Sequence, residues 1–134
     1  MRGLAAVLAA IAGPATAQGI DCSRAVTQAD LNACAFDAWQ AADRELNQPY
    51  VAAIEQARDY DAEARQGPAG LEDDAEATLR EAQRAWVVYR DPACEAQARP
   101  LAGGSAQPME QYGCLQHLTE QRTELLWQYA RFAE

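Results

Sequence analysis

Four cysteines, Cys22, Cys34, Cys94 and Cys114, follow a stretch organised like a secretory signal peptide, so the chain is expected to fold where thiols oxidise and bridges can staple it. Arg2 supplies a positive n-region, residues 4–12 an apolar h-region, and Ala15-Thr16-Ala17 a small-x-small site with cleavage expected before Gln18. The apolar run is too short to cross about 30 Å of hydrocarbon at about 1.5 Å per residue, which argues against an uncleaved anchor. Lipid anchoring would need a cysteine directly after the cleavage site, and Gln18 holds that place. The expected product is periplasmic or secreted, with no stable membrane insertion.

Removal of residues 1–17 leaves 18–134, enough for one modest domain. Loss of Arg2 takes the formal charge from -9 to -10, and every basic side chain other than His117 is an arginine, since lysine is absent. Such a chain repels nucleic acid and attracts basic partners through a field that weakens with salt.

Apolar positions recur at three- and four-residue intervals and alanine outnumbers β-branched residues, which predicts an all-α fold. The first helical stripe is Leu31, Cys34, Ala38, Ala42, Leu46, Tyr50, Ile54 and Ala57, with Thr27 as N-cap and Asp30 completing a capping box. Pro49 lies inside this stripe and is expected to bend the helix without breaking it. Gln66-Gly67-Pro68-Ala69-Gly70 ends it.

A second helix is expected from about Glu72, its N-terminus complemented by Glu72, Asp73, Asp74 and Glu76, with Ala75, Leu79, Ala82, Trp86 and either Tyr89 or Arg90 buried. Asp91-Pro92 should stop or kink it. Residues 99–107 read as a loop, and Pro108 as the first residue of a third helix whose stripe is Tyr112, Leu115, Leu118, Arg122, Leu125 and Tyr129. Short connections predict an antiparallel three-helix up-down-up bundle.

Four cysteines allow three pairings. Joining sequence neighbours is the preferred one: Cys22 with Cys34 ties the N-terminal segment to the first helix, and Cys94 with Cys114 closes the second connection. Each bridge would contribute about 3 kcal/mol against a total stability of about 5–15 kcal/mol. No Cys-x-x-Cys spacing suggests redox work.

Catalytic groups are sparse. His117 is the sole histidine and has no ligand spacing around it, while Glu72-Asp73-Asp74 lacks the alternating ligands and glycine turn of a calcium loop. No catalytic residue, metal or cofactor is expected. Trp86 lies on an apolar stripe, whereas Trp39 and Trp127 flank theirs and are candidate binding anchors. Two polar strings, Asp43-Arg44-Glu45-Leu46-Asn47 and Gln83-Arg84-Ala85-Trp86 with Tyr89-Arg90-Asp91, suggest an interhelical network drawn from Asp43, Glu45, Asn47, Arg84 and Arg90.

Those strings also carry a family likeness. With Asp21-Cys22, Cys34, Tyr50, Leu79-Arg80-Glu81-Ala82, Cys94, Cys114-Leu115, Arg122 and Leu125, the chain resembles the LprI-like lysozyme-inhibitor family of small secreted or lipid-anchored bacterial helical domains. Two features depart from that pattern: Pro49 within a helix, and the absence of a lipid-anchoring cysteine.

The resemblance implies a binding protein that blocks peptidoglycan hydrolysis by a lysozyme. Many lysozymes are basic, so an acidic partner would be steered to them. A loop over residues 99–113, clamped by Cys94 and Cys114, is the expected probe, with Arg99, Ser105 and Tyr112 as candidate contacts; Arg99 and Ser105 would face the enzyme's carboxylate pair. The alternative is a periplasmic structural or interaction module that engages an envelope partner through an exposed aromatic flank and does not inhibit lysozyme.

Overall fold

The computed structural model describes residues 19–132; the signal-peptide reading of residues 1–17 lies outside them. Three helices, α1 (Gln28–Gln66), α2 (Ala75–Ala98) and α3 (Gln107–Ala130), are joined by a turn and a short 3-10 segment, Arg99–Leu101, and no strand occurs among the described residues. α1 and α3 run parallel and form the main packing interface, with α2 antiparallel to both, so the order is up-down-up. No helix among the described residues is long and apolar enough to cross a membrane.

Thr27 caps α1 by accepting from the Asp30 amide at 3.1 Å. The reciprocal half of the expected box differs: the Asp30 carboxylate takes the Thr27 hydroxyl, 2.6 Å away. α1 continues through Pro49, whose ring is buried in the bundle. Packing of Leu46, Ala53, Ile54 and Ala57 on both sides of the proline offsets the one lost backbone bond.

α2 begins at Ala75, three residues later than the acidic run suggests, because its cap comes from the preceding helix. Asp61, buried on α1, accepts from the amides of Ala75 at 2.7 Å and Glu76 at 3.2 Å. The expected stop at Asp91-Pro92 does not occur. Pro92 removes the partner of the Val88 carbonyl, but Val88 is on the exposed face, and buried Cys94 and Ala98 hold the following turns. On this helix Arg90, not Tyr89, takes the buried position, and Ala82 faces solvent.

α3 starts at Gln107, with Pro108 second, where no amide donor is needed. Leu125, expected inside, is 55% exposed, and Leu126 is buried in its place at 1%. The buried line runs from Leu115 through Thr119, whose hydroxyl donates to the Leu115 carbonyl at 2.7 Å, so a polar residue carries the stripe past the point where hydropathy loses it.

Both neighbour bridges are present, Cys22–Cys34 and Cys94–Cys114, with Cα separations of 5.7 and 5.4 Å. The main core gathers Leu46, Ala53, Ile54, Ala57, Leu79 and Leu126, while a second cluster of Cys94, Cys114 and Leu115 packs against Trp39, Tyr112 and Leu118. The second cluster thus sits at the disulfide end of the bundle.

Candidate functional site

At that end the three helices meet around Arg90, whose residue exposure is 7%. Its Nη1 donates to Asp43 on α1 at 2.8 Å and to the Thr119 hydroxyl on α3 at 3.3 Å, and its Nε donates to neighbouring Asp91 at 2.8 Å. The guanidinium lies 4.9 Å from the Trp86 ring centroid and 5.9 Å from that of Trp39. Burial works against its charge, but the bonds it donates to Asp91 and Asp43, with their negative charges, outweigh this and hold its pKa above the ordinary arginine value. A planar, always-charged fork suits a site that must bond two carboxylates and stack on indoles together.

Of the five residues expected to form the interhelical network, only Asp43 and Arg90 meet. Glu45 and Arg84 are exposed with no ion pair to another helix, and Asn47 turns back to the carbonyls of Asp43 and Arg44 on its own helix. The strings place these residues near one another in sequence, but a helix sends neighbours to different faces. Asp91 and Thr119, which complete the cluster, were not in the expected set; a buried arginine's need for several acceptors is the signal that would have pointed to them.

A second arginine is less well satisfied. Arg122 Nε donates to Gln83 on α2 at 2.9 Å, but Nη2 is buried without an acceptor, and burial lowers its pKa. At the other end, Glu76 receives both Arg58 and Arg80, whose hydrogen bonds pull its pKa down to about 2.

An aromatic cluster covers the Arg90 site on the α1/α3 side. Trp39 and Tyr112 stack with centroids 5.7 Å apart, and Phe36 meets both edge-on. Trp39 is therefore a partly buried wall and not a free anchor; its Nε1 is buried without an acceptor.

The expected loop over residues 99–113 is shorter than its sequence suggests. Residues 99–101 form a 3-10 turn, and α3 begins at Gln107, so Tyr112 is a half-buried helical residue. Arg99 is exposed and donates to Glu95 at 2.8 Å. Ser105 is also exposed, and its carbonyl accepts from Asn32 Nδ2 on α1 at 2.9 Å. Gly103, at φ 79°, supplies the left-handed residue of the turn, and its amide is held by the Gln107 side chain. Thus Arg99 and Ser105 share one exposed tip, whereas Tyr112 belongs to the aromatic wall.

His117 contacts Gln121 one turn along the same helix, and no cluster of three potential metal ligands occurs among the described residues.

Residues 21–126 match the family model described as Lysozyme inhibitor LprI. Over 114 residues the chain is 42% identical to a protein of Rhizobium meliloti (strain 1021) described as uncharacterized, an alignment covering 85% of this chain and 81% of that protein. No solved structure matches.

Proposed function

The chain belongs to the lysozyme inhibitor LprI family, and we propose that it binds a lysozyme and occludes its cleft with the exposed tip formed by residues 99–106. The observation that carries this reading is the fixing of that tip at both feet: the Cys94–Cys114 bridge spans it, and Asn32 holds the Ser105 carbonyl. A segment already held in place loses little entropy on insertion. Arg99 and Ser105 offer a guanidinium and a hydroxyl to the enzyme's carboxylates, and net charge -9 steers the acidic domain toward a basic enzyme. The role is binding without catalysis. Two disulfides support a site of action in the periplasm or outside the cell.

The test is inhibition of c-type and g-type lysozymes acting on peptidoglycan, at low and moderate salt. Inhibition at micromolar protein, with association slowed by salt, is expected. If neither class is slowed, the reading fails for both, and stoichiometric recovery of another envelope protein would favour the interaction-module alternative.

A further inference from the structure

We propose that a cavity beside Arg90, lined by Trp39, Asp91, Gln111, Tyr112 and Leu115, receives a cationic side chain from a basic protein partner. Its volume is about 320 Å³. The lining has two aromatic walls, one carboxylate, one amide and no basic residue.

Charge bookkeeping around Arg90 selects the ligand. Two carboxylates, Asp43 and Asp91, share one guanidinium, leaving one negative charge in excess. Each uses Oδ1 for Arg90, and the Oδ2 atoms take no hydrogen bond from the described residues. The Asp91 side chain is 57% exposed and faces the cavity, so an incoming cation meets an available oxygen beside flat aromatic surface. The chain's surplus of acids favours the same ligand at long range.

Gln111 lies one helical turn beyond the tip at residues 99–106, so one partner can engage both surfaces. To that extent the inference rests on the lysozyme-binding reading, but the cavity can be tested without a lysozyme.

The disulfide-intact chain is titrated with arginine amide, on the order of millimolar, while the Trp39 indole N–H resonance is followed. A shift is expected in the wild type and in Glu63→Gln, which removes the same charge from an exposed site at the far end of α1. Asp91→Asn should abolish it. So should Gln111→Arg, which fills the cavity with an internal cation and leaves the partners of Arg90 in place, a second route if Asp91→Asn proves unstable. No wild-type shift, or an undiminished shift in either cavity variant, overturns the site.

Against a c-type lysozyme, Asp91→Asn should raise Kd about tenfold and Glu63→Gln less than about twofold. Equal effects of the two would overturn the site and leave the inhibitor reading standing. A wild-type arginine-amide shift without lysozyme binding would support the site and overturn the inhibitor reading for that class.

Discussion

Arg90 on α2 and Asp43 on α1 lie 2.8 Å apart, and this contact joins the two helices where Thr119 of α3 supplies a third partner. The pair is asymmetric: the arginine is buried, whereas the aspartate is about half exposed. Water therefore meets part of the carboxylate's solvation, while two carboxylates, a hydroxyl and two indoles compensate the guanidinium.

Truncating Arg90 to alanine should cost about 3 kcal/mol, from lost packing and from an unfilled space between three helices. Arg90→Met should cost less, because it keeps the stem volume and leaves two carboxylates that water can reach. Urea midpoints of both variants check this. A loss below about 1 kcal/mol for Arg90→Ala would show that the cluster adds little to the fold.

The Asp61 cap makes a separate claim about α2. Asp61→Ala leaves the amides of Ala75 and Glu76 without their acceptor at the start of a helix whose N-cap, Asp74, forms no side-chain cap bond. A loss of about 1–2 kcal/mol is expected. Hydrogen exchange should quicken first in residues 75–78; protection unchanged there would mean that another group caps the helix.

The origin of that cap also explains what the sequence conceals. Helical periodicity, the Thr27 cap and the neighbour pairing of cysteines are local or near-local features, and they are legible from spacing. Asp61 is 14 residues from the amide it caps, so a local reading assigns the capping role to the conspicuous run Glu72-Asp73-Asp74 instead. Likewise Leu125 and Leu126 are equivalent in hydropathy, and only the burial of Thr119 in the same stripe decides between them. The polar site follows the same pattern: Arg90 and Asp43 stand out in sequence, but that they alone of the five expected residues meet depends on helix rotation, which excludes Glu45, Asn47 and Arg84.

Glu76 predicts a pH response. Hydrogen bonds from Arg58 and Arg80 lower its pKa from 4.5 to about 2, so folding favours the ionised carboxylate. The resulting stability is fully present above about pH 4.5 and is lost as pH falls through about 2. Glu76→Gln should therefore lower Tm at pH 7, and its difference from the wild type should close between pH 4.5 and 2. A gap that stays constant over this interval would remove the arginine pair as its cause.

Asn32 separates the rigidity of the tip from its chemistry. Its side chain donates to the Ser105 carbonyl from a different helix, yet it contributes no surface to residues 99–106 themselves. Asn32→Ala removes that exposed hydrogen bond together with the one its Oδ1 accepts from Gln28 at 2.9 Å, and should cost about 1–2 kcal/mol of global stability. It should, however, free the foot of the tip that leads into α3, so amides of residues 103–106 should exchange faster. If the tip enters a lysozyme cleft in its held conformation, only the fraction of molecules in that conformation binds well, and inhibition should weaken by about three- to tenfold. Faster exchange with unchanged inhibition would show that the tip lies outside the interface and would leave the Arg90 face to account for binding.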